Sequence, residues 1–169
     1  MNATRYRKLL FLLLITLLTL IPFTSAFAAK PVIFTIQVDD TFESGTCDGF
    51  TVIEHVEGTI KISTHFDQDG NFTMELIRFS LRHTYTNSET GETLFSPDVG
   101  IDKVTVHQDG AVTIAVIGIV TRIVVPGEGL VFAHLGRIVF DAFTGEVIFE
   151  AGRHDDLANL LPVLCSALA

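Results

Sequence analysis

Two short stretches of the chain place potential metal ligands around a glycine. In HFDQDGNF, residues 65–72, the side chains of Asp67, Asp69 and Asn71 alternate as they do where many calcium loops begin. The stretch VHQDGAV, residues 106–112, repeats the Asp-Gly pair without the flanking acid and amide. Calcium requires six to eight oxygens, more than these side chains supply. We therefore expect a turn closed by a left-handed glycine in each stretch, and no metal site.

A histidine within an apolar hairpin is the strongest candidate for chemistry. If residues 126–129 form the loop, His134 lies opposite Thr121 on a largely apolar face. Such a histidine can be a polar anchor or a general acid-base in a pocket. The alternative is a core histidine whose ring nitrogen bonds the Thr121 hydroxyl or a backbone carbonyl. The ligand-binding residues predicted here are His134, Thr121, Phe132, Ile117 and Ile119, with Arg78 and Glu75 from another strand.

Charged residues elsewhere allow a structural and a functional interpretation. Glu75, Arg78 and Arg82 interrupt an apolar strand. One interpretation places all three on the outer face as a row of charges. In the other, an arginine points inward and binds a ligand carboxylate. The run Arg153-His154-Asp155-Asp156 could hold a metal or an acid-base pair, but we favour one of its aspartates as the cap of a short helix.

Motifs of catalysis or of cofactor binding are absent from the sequence. It contains no G-x-S-x-G elbow, no HExxH, no glycine-rich phosphate loop and no dinucleotide fingerprint. The six histidines are scattered singly along the chain. We therefore predict no catalytic residues and no cofactor.

The elements that position these residues are predicted to be strands. After Pro31, runs of β-branched and aromatic residues alternate with glycine-centred turns. The connections are short, which requires antiparallel neighbours. Helical spacing occurs at 155–161, which Pro162 is expected to end. The expected strands are 31–38, 49–56, 58–66, 71–85, 92–107 with a break at 96–98, 111–125, 130–141 and 146–151.

Hairpin loops of fixed length predict which residues face each other. The expected opposite pairs are Phe66 with Phe72, Thr64 with Met74, Val106 with Val112, Ile123 with Phe132, Thr121 with His134, and Ile117 with Ile138. Both faces of the last hairpin are then largely apolar. Its second face must be covered by the C-terminal segment or by a second subunit, so a homo-oligomer remains open.

The fold class that follows is all-β. About eight antiparallel strands in sequential order can close into an up-and-down barrel or form a two-sheet β-sandwich. Strands of 12 to 15 residues suit a tilted barrel wall, so we expect the barrel, with a short C-terminal helix.

The N-terminal segment has the layout of a secretory signal peptide. Basic residues precede an apolar run from Leu9 to Ile21, and small residues place a cut near Ala28. That run is too short to cross a bilayer. We expect a cleaved signal peptide at 1–29, one domain at 30–169, and secretion to the extracellular space or the periplasm.

The cysteine content indicates the redox compartment of the protein, and its charge limits the classes of partner that it can bind. Cys47 and Cys165 are the two cysteines, and in an oxidising compartment an isolated pair predicts a disulfide. Without the three basic residues of 1–29, eight Lys and Arg face twenty Asp and Glu, a formal charge of −12. Such a surface repels nucleic acid and anionic membranes.

Three segments carry a resemblance to known proteins. They are PGEG at 126–129, GRIVFD at 136–141 and GEVIFEAGRHD at 145–155, which resemble features of secreted bacterial β-barrel proteins. The overall layout is similar to calycin-like and allene-oxide-cyclase-like barrels. The chain has no Trp and so lacks the Gly-x-Trp signature of lipocalins. The resemblance implies a barrel interior that holds a lipophilic molecule or, in a few cases, directs a cyclisation, and it transfers no functional residue.

Three functions are compatible with these observations. The first is binding of a small lipophilic molecule in an apolar interior, without catalysis. The second is a structural or interaction role in the envelope or matrix. The third is an isomerase or cyclase with His134, Arg78 or Glu75 as its polar triggers.

Overall fold

The computed structural model describes residues 30–169, in which seven strands form one antiparallel sheet. Each strand pairs with its neighbours in sequence, so the all-β meander is confirmed, as one sheet of seven strands instead of eight strands or two sheets. The strands are β1 (Val32–Thr46), β2 (Thr51–Phe66), β3 (Phe72–Asn87), β4 (Thr93–Val106), β5 (Val112–Val125), β6 (Gly129–Asp141) and β7 (Val147–His154), followed by a 3-10 turn (Leu157–Asn159) and helix α1 (Leu160–Ala167). The predicted signal peptide lies outside the described residues.

Two predicted strand breaks were wrong. Gly58 lies within β2, opposite Leu81, so the two strands expected at 49–56 and 58–66 are one. Pro97 lies within β4, opposite Arg82. The ladder between β4 and β5 begins only at Val99, so the missing N–H of Pro97 costs no hydrogen bond to β5.

Bulges shift two of the predicted registers by one residue. On β5 and β6, Thr121 lies opposite His134 as predicted, but an irregularity between Ile119 and Thr121 sets Ile117 opposite Arg137. Val116 therefore takes the predicted place of Ile117 opposite Ile138. A similar irregularity next to Phe66 places Thr64 opposite Glu75 instead of Met74. The bulge on β5 changes which of its residues share a face with the inward residues of β6.

A row of glycines crosses four strands. Gly100, Gly118, Gly136 and Gly152 lie directly opposite one another on β4 to β7. A Cβ on Gly118 would collide with the carbonyl oxygen of Val99. Glycine inside a strand marks a bend or a close approach of backbones, and the close approach is present along this row.

Helix α1 packs against one end of the sheet. Its Leu164, and Leu168 just beyond it, are buried in the main apolar cluster, whose other members are Val52, Tyr85, Leu94, Ile123 and Phe132. The Asn87 side chain donates a 2.8 Å hydrogen bond to the carbonyl oxygen of Leu168. The predicted disulfide is confirmed, since Cys47 and Cys165 are bonded with their Cα atoms 5.5 Å apart.

The predicted end of the helix was wrong. Pro162 is the third residue of α1, in the first turn, where a missing N–H removes no intrahelical bond. The expected aspartate cap is found at Asp156, which accepts a 3.0 Å hydrogen bond from the amide of Ala158.

Candidate functional site

A cavity of about 490 Å³ opens on one face of the sheet. Its lining is mostly aliphatic and aromatic and comes from β2 to β6 and from Leu157. The apolar side chains include Ile60, Ile77, Phe79, Val116, Ile138 and Phe140, and the polar ones are Asp98, Asp102 and His134. An apolar concavity with a few polar groups is the usual form of a small-molecule site.

The register of the strands explains how these side chains come together. Ile77, Asp102, Val116 and Ile138 lie opposite one another on β3 to β6 and form one row. The adjacent row on the same face is the glycine row, where β4, β5 and β6 present no side chain. Because side chains alternate between the faces of a strand, the glycines leave empty volume between two rows of side chains.

A cluster of buried charges lies beside the cavity. His83 Nδ1 is 2.6 Å from Glu54 Oε1, and His83 Nε2 is 3.6 Å from Asp98 Oδ2. Glu54 also accepts a 2.7 Å hydrogen bond from the Ser44 hydroxyl. The carboxylate of Asp98, 3.6 Å away, and that of Glu54, which is hydrogen-bonded to the ring, raise the pKa of His83 to about 9, so the ring is an imidazolium at neutral pH.

The cluster also sets the ionisation of its neighbours. Burial by itself would raise the pKa of Glu54, but the hydrogen bonds from His83 and Ser44 outweigh it, and the pKa is lowered. Burial, together with the charges of Glu54 and Asp98, raises the pKa of the Tyr85 hydroxyl, which therefore stays neutral. Within residues 30–169, Asp98 Oδ1 is buried without a hydrogen-bond partner.

Asp102 is a second carboxylate in the cavity and has a different environment. Its cross-strand neighbours, Ile77 and Val116, are apolar. Its Oδ1 is buried without a hydrogen-bond partner in the described part of the chain. Burial, and to a smaller extent the charge of Asp98, raises the pKa of the Asp102 carboxyl.

Of the residues predicted to bind a ligand, the structure brings His134 to the cavity. Its Nδ1 is 3.1 Å from the carbonyl oxygen of Asp155. A core histidine was expected to bond either a backbone carbonyl or the Thr121 hydroxyl, and the structure shows the carbonyl. Its ring also packs edge-on against His154, with ring centroids 4.9 Å apart.

The other predicted residues lie elsewhere. Thr121 is buried, and its hydroxyl donates a 2.8 Å hydrogen bond to the carbonyl oxygen of Val120. Phe132 belongs to the main apolar cluster, which packs against α1. Ile117, which is 37% exposed, and Ile119 do not line the cavity, because the β5 bulge puts Val116 and Val120 there. Arg78 is exposed, and Glu75 accepts a hydrogen bond from Thr64 outside the cavity lining.

Sequence reasoning missed Asp98, Asp102 and His83. We expected the strand to break at 96–98, so Asp98 was not assigned to a strand. In the unbroken β4, Asp98, Gly100 and Asp102 lie on one face because side chains alternate along a strand. The usable signal was two acids spaced four apart, with only Val99, Gly100 and Ile101 between them.

The two predicted glycine turns are confirmed. Gly70 and Gly110 have φ of +83° and +86°. In the first turn Asp67 Oδ1 accepts hydrogen bonds from the amides of Asp69 and Asn71, at 2.9 and 2.8 Å. That carboxylate, the first of the supposed calcium ligands, is thus bonded to the turn itself.

A comparison of the chain with protein-family models, with curated proteins and with solved structures finds no match. The fold and cavity define the class as an all-β meander with a cavity on one face. The disulfide is typical of a compartment outside the cytoplasm. In residues 30–169, neither helical element has the length and hydropathy of a bilayer-crossing segment.

Proposed function

We propose that this protein is secreted and binds a small lipophilic molecule in the cavity, without catalysis. The observation that carries the proposal is the volume of about 490 Å³ and its largely apolar lining. Ligand cavities of small molecules occupy roughly 300 to 1,000 Å³. The acidic surface is consistent with a protein that has neither nucleic acid nor an anionic membrane as its partner.

Closure of the sheet into a barrel is part of this proposal. Phe34 on β1 is 62% exposed, although it lies opposite Ile62, which continues the row of Ile77 and Asp102. Val147 on β7 is 53% exposed, although it lies opposite Phe140, which lines the cavity. Seven antiparallel strands leave β1 and β7 running in the same direction, so closure requires a parallel β1–β7 pair. Such a barrel would resemble the calycin-like and allene-oxide-cyclase-like barrels. Ligand-dependent protection of the β1 and β7 amides from hydrogen exchange tests it, and unchanged exchange contradicts it.

Binding is best tested with two neighbouring substitutions on β5. Val116 lines the cavity, whereas Ile117 next to it does not. Val116→Phe places a ring in the cavity and should weaken binding of the neutral fluorescent probe N-phenyl-1-naphthylamine about tenfold or more, because the ring takes part of the space of the ligand. Ile117→Phe is the matched control and should bind like the wild type. No binding by the wild type, or equal binding by both variants, contradicts the proposal.

A role in assembly is a second candidate, and the exposed apolar residues of the edge strands favour it. Ile33 and Phe34 on β1, and Ile148 and Phe149 on β7, are all about half exposed or more. An unpaired edge with apolar residues is a template for pairing with another chain, so a homo-oligomer of the envelope or matrix would cover it. Sedimentation as a monomer at micromolar concentration argues against this candidate.

We do not propose an isomerase or cyclase. That alternative relied on His134, Arg78 and Glu75 converging on one cavity. His134 lines the cavity, while Arg78 is exposed and Glu75 lies outside the lining.

A further inference from the structure

The carboxylate of Asp102 lies in a strongly apolar part of the cavity. Ile77 and Val116 flank it on the neighbouring strands, and both line the cavity with it. Its Oδ1 is buried without a hydrogen-bond partner among residues 30–169. A half-buried carboxylate with an oxygen that lacks a donor costs free energy, which a ligand that supplies the donor recovers.

The other acids near the cavity already have a cationic partner. The imidazolium of His83 lies between Glu54 and Asp98. Three carboxylates, those of Glu54, Asp98 and Asp102, thus stand against one cation. The lining residues of the cavity within 30–169 include no Lys or Arg. The site therefore carries net negative charge, which attracts a cation and repels an anion.

We propose that the cavity is specific for a lipophilic amine, whose ammonium group donates hydrogen bonds to Asp102 while its apolar body fills the space over the glycine row. This inference rests on the proposed binding function and adds the chemical class of the ligand. Phe79 reaches over Gly100, since a Cβ on that glycine would lie 3.0 Å from its Cζ. The aromatic ring beside the strand of Asp102 gives the apolar body a flat surface to pack on.

Three probes with one chain length separate the head groups. Isothermal titration calorimetry at neutral pH is carried out with decylamine, decanol and decanoate. In the wild type the amine should bind about tenfold or more tightly than decanol, because the ammonium adds an opposite charge to its hydrogen bond with the carboxylate and the hydroxyl adds none. Decanoate should bind more weakly than decanol, since its charge meets uncompensated carboxylates.

Substitution of the carboxylate assigns the preference to one residue. Asp102→Asn keeps the size of the side chain and removes its charge, so the tenfold advantage of the amine over decanol should fall to about threefold or less. Asp40→Asn is the control, because it removes the same charge from an exposed position of β1. Its amine preference should equal that of the wild type.

The outcomes distinguish this inference from the function on which it rests. Decanol binding without an amine preference in the wild type, or an Asp102→Asn protein that keeps the preference, overturns the inference and leaves lipophilic binding intact. Binding of none of the three probes overturns both. Circular dichroism checks that each variant is folded, and the ranking of the probes by the wild type decides the question even if a variant is not.

Discussion

Gly118 of β5 lies directly opposite Gly136 of β6, with Gly100 and Gly152 continuing the row on either side. A Cβ on Gly118 or Gly136 would collide with a carbonyl oxygen of the next strand, Val99 or Ala151 respectively. The same absence of side chains leaves the volume of the cavity between Asp102 on one side of the glycines and Asp98 and His134 on the other. The cavity therefore depends on residues that contribute no side chain to it.

Gly118→Ala should destabilise the protein by about 3 kcal/mol or more, because the new methyl group meets backbone of β4 that cannot move without breaking the ladder. Gly91→Ala is the matched control. Gly91 also has positive φ, at +75°, but its Cβ would meet open space. It should cost only about 1 to 2 kcal/mol from backbone strain. Urea unfolding measures both, and equal losses contradict a steric role for the row.

His83→Gln should destabilise the protein by about 3 to 5 kcal/mol, because it leaves Glu54 and Asp98 as buried charges without their cation. His107→Gln, at an exposed turn position, is the control and should lie near the wild type. Adding Glu54→Gln and Asp98→Asn to His83→Gln should recover much of the loss in thermal unfolding. No recovery would mean that the ring of His83 matters for packing and not for charge.

The pH dependence of stability should report the ionisation of His83. Its pKa in the folded protein is raised to about 9 from the ordinary 6.5. A raised pKa stabilises the fold fully below the unfolded value, and the stabilisation is lost as the pH rises through about 9. The difference in unfolding free energy between wild type and His83→Gln should therefore shrink between neutral pH and pH 10. A difference that stays constant contradicts the ion cluster.

Asp102→Asn should stabilise the protein at neutral pH. The pKa of Asp102 is raised, so ionisation of this carboxyl destabilises the fold as the pH rises through the range between its ordinary and its folded pKa. The advantage of the Asp102→Asn variant over the wild type should therefore disappear as the pH falls below 3.8, the ordinary value.

Asp141→Asn gives the opposite sign and is the control for that experiment. Hydrogen bonds from the amides of Thr144 and Phe143 lower the pKa of Asp141. Its contribution is present above the ordinary value of 3.8 and is lost as the pH falls, so the Asp141→Asn variant should be less stable than the wild type at neutral pH. Thermal unfolding from about pH 3 to pH 8 checks both variants, and the same sign for both contradicts the assignment.

Loss of the disulfide should uncouple the helix from the sheet. The bridge between Cys47 and Cys165 spans 118 residues, so its removal should cost about 4 to 5 kcal/mol in the chain-entropy model. We expect Cys47→Ser/Cys165→Ser to unfold at lower urea, and the amides of α1 to exchange faster than those of β3. Uniform exchange across the chain would contradict a role specific to the helix.

The strands, the two glycine turns and the disulfide were predictable because each depends on local or exclusive chemistry. Runs of β-branched residues favour strands, and Gly70 and Gly110 adopt the positive φ that a tight turn needs. Cys47 and Cys165 had no other partners in the sequence. The cross-strand pair of Thr121 and His134 was also predicted, since it lies between the two irregularities of this hairpin, where the observed register equals the predicted one.

The sequence by itself thus determined that the chain forms strands whose neighbours pair antiparallel, but not where each strand begins and ends. The tertiary structure alone decided that Val116 lines the cavity in place of Ile117, and that Asp102 lies in the cavity beside the glycine row. The physical reason is the two-residue period of a strand. One extra residue at a bulge moves the side chains beyond it to the other face. A glycine has no side chain, so the alternation of apolar and polar residues does not show which face it lies on.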